Sequence, residues 1–280
     1  MAITELKVDV HTHTLESRHA YSTIGENLRE AGRYGLEMLG SSDHFGAGFA
    51  PSCPPNEIMK VYQFWFNQAV WPRVHRGVKL LRGCEVDIVD MEGHLYGHDI
   101  VVAHWMSGAP KEDHELLKDM VFGRMDYVIA SLHNIGMVKD TTPLENTKLY
   151  LGALEDPKVI GLGHIDRAGN DFDVDAVVTA ARDLNKLIEI NEHTFDSTDG
   201  QRCRRIAERC AELGCKIMVG TDAHISYSVG RFNNAVAMLN RIDFPEELVA
   251  TRNAAAFEQA LKDGVGTVVD WGVGPDRSAM

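Results

Sequence analysis

Short apolar segments alternate along the chain with stretches whose apolar residues repeat at helical spacing. The apolar segments are rich in β-branched residues and are typical of buried strands. Seven strands are predicted in this way: Leu6–His11, Met38–Ser42, Lys79–Val86, Tyr127–Leu132, Val159–Gly163, Leu187–Asn191 and Lys216–Thr221. Seven strands with helices between them predict an α/β fold with a parallel sheet closed into a barrel.

A capping box marks the start of the first predicted helix. Thr23 and Glu26 have the spacing of this motif, and Ile24, Leu28 and Ala31 repeat at helical spacing. Three later helical patterns follow: an aromatic-rich helix over Asn56–Arg76, an apolar stripe of Cys203, Ile206, Ala207, Cys210 and Ala211, and a last stretch from Phe244-Pro245 to about Lys262.

The chain is predicted to form a single domain over residues 1–280. Its 280 residues suit one α/β barrel, and no internal repeat or long linker interrupts them. The least barrel-like region is His94–Leu117, which we interpret as an insertion between two barrel strands. The Gly-rich tail after Gly264, about residues 264–280, is predicted to be irregular.

Composition excludes several classes of protein. Lys and Arg total 28 and Asp and Glu total 41, so the net charge is −13, which argues against a nucleic-acid coat protein. No apolar segment is long enough to span a membrane, and Met1–Asp9 lacks a signal-peptide layout. The cysteines form no C-x-x-C pair and indicate reduced thiols and a cytoplasmic location: Cys53, Cys84, Cys203, Cys210 and Cys215.

Polar residues recur at the ends of the predicted strands. They are His11 and His13, Asp43 and His44, Glu85, His133, His164, and Asp222 and His224. In a parallel barrel the carboxyl ends of all strands open on one face, so these side chains are expected to converge. Imidazoles and carboxylates are the ligands of Zn²⁺, Mn²⁺ and Fe²⁺. The repetition therefore predicts a metal site.

The ordered motifs resemble the polymerase and histidinol phosphatase (PHP) superfamily. They are Val8-Asp9-Val10-His11-Thr12-His13, Ser42-Asp43-His44, Gly83-Cys84-Glu85, Leu132-His133, Gly163-His164 and Gly220-Thr221-Asp222-Ala223-His224. Three further segments are similar to the stand-alone YcdX-type phosphatases of this superfamily: His19–Thr23, Trp71–Val74 and Leu81–Gly83. The resemblance extends from about Val8 to Phe257. Two features depart from the YcdX-type pattern. The His94–Leu117 region is long, and Ile165-Asp166-Arg167 is closer to histidinol-phosphatase-like members.

The resemblance implies a distorted (β/α)7 barrel, TIM-like, with two to three divalent metal ions (Zn, Mn or Fe) at the carboxyl ends of its strands. By motif, His11, His13, Glu85 and Asp222 would hold one metal. Glu85, His133 and His164 would hold a second metal, and His19, His44 and His224 a third. All nine positions carry the residue type that the resemblance implies.

The implied reaction is hydrolysis of a small phosphate monoester by in-line attack of a metal-bridging hydroxide. Asp222 or His224 could assist the leaving group, and His193 and Glu192 are further candidates. Arg18 and Arg167 lie beside metal ligands and are the best candidates to bind phosphate through a guanidinium fork. Weaker candidates for the same role are Arg73 and Arg82.

Other polar and aromatic residues have less specific roles. The carboxylates that flank ligand histidines, Asp9, Asp43 and Asp166, either orient an imidazole or bind some other group. The aromatic residues of Phe64–Trp71 are expected to pack helix against barrel. The histidines of the proposed insertion lack tight ligand spacing, so we do not predict them to be metal ligands: His94, His98, His104 and His114.

The sequence leaves four alternatives open. One is histidinol-phosphatase-type activity, and another is a 3′–5′ exonuclease or nucleotide phosphatase, although the acidic charge disfavours a stable nucleic-acid partner. An amidohydrolase would carry a bridging lysine where Glu85 and His133 stand. A non-catalytic metal-binding module would not need the full ligand set. The expected partner is a small phosphorylated substrate, with no membrane, and a homo-oligomer stays open.

Overall fold

A computed structural model describes residues 3–48 and 54–272. Cys53, one of the predicted reduced thiols, lies outside the described residues, as does the tail beyond residue 272. The strands are β1 Val8–Asp9, β2 Met38–Ser41, β3 His44–Phe45, β4 Val74–His75, β5 Val78–Asp87, β6 Val101–His104, β7 Pro110–Leu116, β8 Tyr127–Ser131, β9 Val159–Leu162, β10 Leu187–Asn191 and β11 Ile217–Gly220. The helices are α1 Ile24–Arg33, α2 Ile58–Val61, α3 Gln63–Asn67, α4 Leu117–Phe122, α5 Pro143–Leu154, α6 Val174–Asp183, α7 Thr194–Ser197, α8 Gln201–Leu213, α9 Asn233–Arg241 and α10 Ala254–Val265.

Seven parallel strands form a sheet that is nearly closed into a barrel. Their order is β1-β2-β5-β8-β9-β10-β11. A parallel bridge between Thr12 and Ala223 joins the two edges just beyond β1 and β11. The predicted α/β barrel is therefore confirmed, and each predicted strand corresponds to one of these seven with bounds within two residues.

The barrel encloses one apolar core, and a second apolar layer lies between the strands and the helices. Tyr127 of β8 is fully buried in the inner core and donates a hydrogen bond from its hydroxyl to the carbonyl oxygen of Val10 at 2.6 Å. A β-carbon at Gly40 or Gly83 would collide with the Tyr127 ring, so these glycines make room for it. Phe257 of α10 packs edge-on against the same ring, at the end of the barrel opposite the carboxyl ends of the strands.

Two predicted helices form as expected from their apolar stripes. The capping box at Thr23 and Glu26 is present at the start of α1, which buries its predicted apolar face. Helix α8 buries Cys203 and Cys210 together with the neighbouring apolar residues of its stripe. The thiols of these two cysteines are core groups, and burial raises the pKa of Cys203 well above its usual range.

The prediction of one long helix over Asn56–Arg76 is wrong. The segment contains the short helices α2 and α3, two single turns of 3₁₀ helix, and strand β4. Pro72 forces Trp71 into an extended conformation, with ψ of 138°. Arg76 and Gly77 both have positive φ and form the tight turn that pairs β4 with the start of β5.

The predicted start of the last helix is also wrong. Residues after Pro245 form two 3₁₀ turns, and α10 begins only at Ala254, where the side chain of Asn253 accepts a hydrogen bond from the Ala256 amide at 2.9 Å. The side-chain cap fixes the helix start at this position. The helix then ends at Val265, three residues beyond the predicted end.

The proposed insertion, His94–Leu117, contains an antiparallel hairpin. Strands β6 and β7 pair with each other, and neither pairs with a barrel strand in the described part of the chain. The chain re-enters the barrel through α4 and β8. Among the residues in ranges 3–48 and 54–272, no helix has both the length and the apolar character needed to cross a membrane.

Candidate metal centre

The nine predicted metal ligands come together at the carboxyl ends of the barrel strands. Each is carried by the end of a strand or by the loop that follows it, as parallel topology requires. His19 comes from the loop after β1, just beyond the 3₁₀ turn Leu15–Ser17. The site is built from His11, His13, His19, His44, Glu85, His133, His164, Asp222 and His224.

Glu85 occupies the centre of this cluster and is fully buried. Its Oε2 atom lies 2.8 Å from Nδ1 of His44, 3.3 Å from Nε2 of His11 and 3.5 Å from Nε2 of His13. On the other side of the carboxylate, Oε1 lies near two more imidazoles, at 2.8 Å from Nε2 of His164 and 3.3 Å from Nε2 of His133. The two oxygens therefore face two different sets of imidazoles.

Asp222 is the second carboxylate of the cluster. Its Oδ1 atom lies 3.0 Å from Nε2 of His13 and 3.7 Å from Nε2 of His11. Its Oδ2 atom accepts a hydrogen bond from Nη1 of Arg167 at 2.7 Å. The carboxylate thus connects the histidines of the first strand to a cationic side chain at the site.

A third group of histidines lies on the outer side of the cluster. Nε2 of His19 and Nε2 of His224 are 2.7 Å apart. The ring of His44 stacks on that of His19 with centroids 5.0 Å apart, and on that of His13 at 4.3 Å. His44 therefore stands between the buried Glu85 and the exposed His19.

Several ligand imidazoles are oriented by oxygen atoms behind them. Nδ1 of His11 donates to Oε1 of Glu189 at 2.7 Å, and Nδ1 of His133 donates to Oδ1 of Asp87 at the same distance. Nδ1 of His13 lies 3.0 Å from Oγ of Ser17. These contacts leave Nε2 of each ring directed into the cluster, as metal-bound histidines require.

Glu189, Asp87 and Ser17 were not predicted from the sequence. Glu189 also accepts the backbone amide hydrogen of His164 at 2.9 Å, so one carboxylate orients the ligands of two strands. A carboxylate in the middle of the apolar segment Leu187–Asn191 is a signal that could have identified it.

The pKa shifts of Glu85 and Asp222 favour the ionised form of each carboxyl group. Burial alone would raise the pKa of Glu85, but the imidazoles of His11, His133 and His44 hold it well below its usual range. Burial likewise opposes ionisation of Asp222, and His11 and His13 lower its pKa well below the usual range. The centre therefore contains two carboxylates that stay ionised at neutral pH.

His133 and His13 have pKa values that are shifted in opposite directions. Burial acts against the proton on His133, yet Glu85 and Asp87 raise its pKa to about 10. Burial and the neighbouring His44 hold the pKa of His13 well below its usual range. The direction of each shift therefore follows the nearest charged groups: carboxylates beside His133, and another imidazole beside His13.

The donor set fits divalent cations. Nε2 of His11 and Oε2 of Glu85 are buried, and neither makes a hydrogen bond to any residue in the described ranges. Four triads bring one nitrogen or oxygen atom from each member within 4.8 Å of the others: His13-His44-His224, His11-Glu85-His164, His11-His13-Asp222 and His44-Glu85-His133. Imidazole nitrogen with carboxylate oxygen is the donor chemistry of Zn²⁺, Mn²⁺ and Fe²⁺.

Two of the predicted ligands hold strained backbone conformations. Asp222 has φ of 54° and His164 has φ of 29°, values that disfavour side chains other than glycine. Each follows a close-packed strand end: a β-carbon at Gly220 would approach Oε1 of Glu189 and Cβ of His11, and one at Gly163 would collide with Oγ of Ser131. The backbone is bent here to aim these ligands into the centre.

The candidate phosphate-binding arginines occupy different positions. Arg167 reaches Asp222, whereas Arg18 is exposed beside His19. Arg73 forms a two-point ion pair with Asp126, which also accepts the backbone amide hydrogen of Arg82. Arg73 therefore stabilises the β4–β5 region, and within the described ranges Arg167 is the one of these four that forms an ion pair with a predicted ligand.

The flanking carboxylates have structural partners. Asp43 accepts hydrogen bonds from the hydroxyls of Thr14 and Ser17, which positions Ser17 behind His13. Asp9 accepts hydrogen bonds from Thr221 and from the amide of Gly230. In the described part of the chain, none of Asp9, Asp43 and Asp166 hydrogen-bonds to the imidazole of the adjacent ligand.

Glu192 and His193, which follow β10 and are candidates to assist the leaving group, have different surroundings. Glu192 caps α9, because its carboxylate accepts the amide hydrogens of Asn234 and Ala235. His193 is half-exposed, and its ring centroid is 6.3 Å from that of His224. Only His193 of this pair faces the centre. Within Phe64–Trp71, Trp65 and Phe66 are buried in the outer layer, and Phe64 and Trp71 pack against it partly buried, as predicted.

Comparisons with known proteins agree with this site. The PHP domain matches residues 9–193. A protein of Clostridium acetobutylicum named "Probable phosphatase" is 34% identical over 91% of this chain and 94% of its own length. A protein of Clostridium botulinum with the same name is 36% identical over 91% of this chain and 94% of its own.

A solved structure shares the fold. The crystal structure of histidinol phosphate phosphatase from Lactococcus lactis, complexed with zinc, L-histidinol and phosphate, has a TM-score of 0.54 and is 20% identical. The match covers 89% of this chain and 98% of that one. The predicted resemblance is confirmed: the chain belongs to the PHP domain family, among its phosphatases.

Proposed function

We propose that this protein is a metal-dependent phosphoesterase that hydrolyses a small phosphate monoester at a trinuclear site. The observation that carries the proposal is the central position of Glu85, whose two oxygens face five imidazoles within 3.5 Å. A carboxylate in this position is suited to bridge cations rather than to form one ion pair.

The nine converging side chains are the proposed ligands. Bound there, two or three divalent cations (Zn²⁺, Mn²⁺ or Fe²⁺) would act as Lewis acids toward the phosphate and lower the pKa of a water molecule. In the arrangement that the resemblance implies, the first set is His11, His13, Glu85 and Asp222, the second is Glu85, His133 and His164, and the third is His19, His44 and His224.

Arg167 is the proposed phosphate-binding side chain within the site. Its guanidinium is held by Asp222 through one Nη atom, which leaves further N–H donors for an incoming anion. The forked geometry suits two phosphate oxygens. Arg18, exposed near His19, is the proposed second contact at the mouth of the site.

His193 is the proposed source of the proton for the leaving group. Nδ1 of this ring pairs with Oδ2 of Asp196 at 2.8 Å, and its backbone amide donates to Oδ1 of Asn191. The pair orients the imidazole near His224 without using it as a predicted ligand. Asp222 and His224 are less suited to this role because they belong to the proposed ligand set.

The test compares Glu85→Gln with Glu112→Gln, a matched substitution at an exposed glutamate of β7. Metal-stripped protein is reloaded with Zn²⁺, Mn²⁺ or Fe²⁺ and assayed with p-nitrophenyl phosphate. We expect hydrolysis by the wild type and Glu112→Gln and loss of hydrolysis in Glu85→Gln. Absence of hydrolysis with all three metals, or full activity of Glu85→Gln, would refute the proposal.

The substrate class is tested by using further substrates in the same assay. Histidinol phosphate, a nucleoside monophosphate and a single-stranded oligonucleotide are compared by kcat/KM. We expect small monoesters to be preferred over the oligonucleotide, because the net charge of −13 disfavours long contacts with a polyanion. Faster release of nucleotides from the oligonucleotide would favour the exonuclease alternative.

A further inference from the structure

A second group of metal-ligating side chains lies in the loop that follows β5. Asp90, His94 and His98 each offer one ligand atom within 4.8 Å of the other two. Oδ2 of Asp90 lies 2.7 Å from Nδ1 of His94. The rings of His94 and His98 are stacked with centroids 4.6 Å apart and planes within 6°. None of the three belongs to the centre described above.

The loop is held in a defined shape by its backbone. The amide of Val89 donates to the carbonyl oxygen of His94 at 2.8 Å, and the amide of Tyr96 donates to that of Asp87 at 2.9 Å. Leu95 is buried in the outer apolar layer. The polar side chains on either side of Leu95 are therefore presented by an anchored segment.

Two glycines bring the histidines to the same side of this loop. Gly93 and Gly97 have φ of 85° and 83°, conformations that glycine adopts without strain. A β-carbon at Gly93 would collide with the backbone of α5, and one at Gly97 would approach the amide of Lys118. Each glycine immediately precedes one of the two histidines, so close packing on the barrel fixes where each imidazole begins.

The charge of the group also suits a cation. Partial burial of Asp90 opposes ionisation, but hydrogen bonds from the amide and the ring of His94 lower its pKa below the usual value. Asp90 is thus an anion at neutral pH beside two imidazoles. The side chains of His94, Asp90 and His98 are 54%, 32% and 30% exposed, so solvent can complete a coordination shell.

A surface ion pair alone does not account for all three residues. An exposed Asp–His pair of this kind contributes only about 0–1 kcal/mol. That pairing accounts for Asp90 and His94 but not for His98, whose Nδ1 lies 3.2 Å from the carbonyl oxygen of Leu95 and 3.9 Å from Oδ1 of Asp99. His98 nevertheless offers a ring nitrogen within 4.8 Å of ligand atoms of Asp90 and His94.

We propose that Asp90, His94 and His98 form a separate surface site for one divalent cation of the zinc class. Two imidazoles and one carboxylate supply three ligands, and water completes a four-coordinate shell. A cation there would cross-link both ends of the loop that joins β5 to the β6–β7 hairpin. The amide of Tyr96 on this loop donates to the carbonyl oxygen of Asp87, and the Asp87 side chain orients His133. A cation at the surface site would therefore stabilise a segment next to the main centre.

The test measures the number of bound Zn²⁺ ions per chain by equilibrium dialysis followed by elemental analysis. The wild type is compared with His94→Gln/His98→Gln and with His114→Gln, a control at an exposed histidine of β7. We expect the double variant to bind one Zn²⁺ fewer than the wild type and His114→Gln to bind the same number. Equal stoichiometry in all three proteins would overturn the proposal.

A second measurement locates the ion without relying on stoichiometry. Backbone amides of Val89 and Tyr96 are followed by hydrogen exchange with and without Zn²⁺ in Glu85→Gln, which lacks the central carboxylate of the main centre. We expect Zn²⁺ to slow exchange of these amides at least several-fold in Glu85→Gln, and not when His94→Gln/His98→Gln is added. Exchange that does not respond to Zn²⁺ in Glu85→Gln would also overturn the proposal.

Discussion

The carboxylate of Glu189 accepts a hydrogen bond from Nδ1 of His11 at 2.7 Å and keeps Nε2 of that ring directed toward Glu85. Both side chains are buried, so water cannot replace either partner. The second oxygen of Glu189 receives the amide hydrogen of His164, which links two ligand-bearing strands through one side chain. Glu189 is therefore a positioning residue that acts through two predicted ligands.

The first prediction concerns Glu189→Gln. The substitution keeps the size of the side chain and removes its negative charge, so it weakens the orientation of His11 without deleting a proposed ligand. We expect metal affinity to fall about 10- to 100-fold, with partial recovery of activity at high metal concentration. Affinity is measured by competition with a chromophoric chelator, with Glu112→Gln as the control. Unchanged affinity would contradict the positioning role.

The second prediction concerns Arg167→Lys. Lysine retains the charge near Asp222 but loses the planar fork that suits phosphate. We expect kcat/KM for phosphate monoesters to fall about 10- to 100-fold, the cost of losing a charged hydrogen bond. Inorganic phosphate should inhibit the variant more weakly in the same proportion. Arg204→Lys on the exposed face of α8 is the control. Equal inhibition of both variants by phosphate would remove Arg167 from the binding site.

The third prediction concerns the pH dependence of stability through Lys186. Nζ of Lys186 donates to the carbonyl oxygen of Gly264 at 2.7 Å, and burial lowers the pKa of this group from 10.5 to about 8, although Asp156 opposes the shift. Between these two values the unfolded chain binds more protons at this position than the folded chain. The contribution of Lys186 to the free energy of unfolding therefore rises with pH across that window.

Lys186→Met removes this titration, so the difference in stability between wild type and variant should move in favour of the wild type as pH rises from about 8 to about 10. Urea unfolding of metal-stripped protein at several pH values measures the difference. Lys262→Met, at an exposed position of α10, should show a difference that does not vary with pH. A constant difference for Lys186→Met as well would refute the shift.

The barrel and the convergence of most of the nine side chains could be predicted from local patterns, whereas His19 was assigned only through the resemblance to the PHP superfamily. Each barrel strand is a short apolar segment, and each strand-end ligand follows such a segment directly, so parallel topology alone brings residues as distant as His11 and Asp222 together. The broken helix over Asn56–Arg76 was not predicted. Pro72 and the turn at Arg76-Gly77, where both residues have positive φ, break the helical pattern.

The residues that orient the ligands could not be assigned from periodicity. Asp87 and Glu189 lie on barrel strands like their neighbours, and their roles depend on which imidazole nitrogen they face across the sheet. Similarly, the spacing of His94 and His98 does not by itself indicate a common site. Their proximity depends on the conformations of Gly93 and Gly97, which packing on the barrel imposes.

The fourth prediction concerns the proton that the leaving group receives. His193 lies outside the proposed ligand set, and Asp196 orients its ring through Nδ1 at 2.8 Å. An alkyl phosphate releases a strongly basic alkoxide and needs a proton in the transition state, whereas p-nitrophenolate leaves without one. We therefore expect His193→Gln to lower kcat for an alkyl phosphate about 100-fold, the lower limit for loss of a general acid.

The same variant should leave kcat for p-nitrophenyl phosphate nearly unchanged, so the ratio of the two rates is the diagnostic quantity. Asp196→Asn should shift this ratio in the same direction by a smaller factor, because it misorients the ring without removing it. His114→Gln in β7 controls for the loss of an exposed histidine. If His193→Gln slowed both substrates equally, the residue would act through binding or through His224, and the leaving-group proton would have to come from another group.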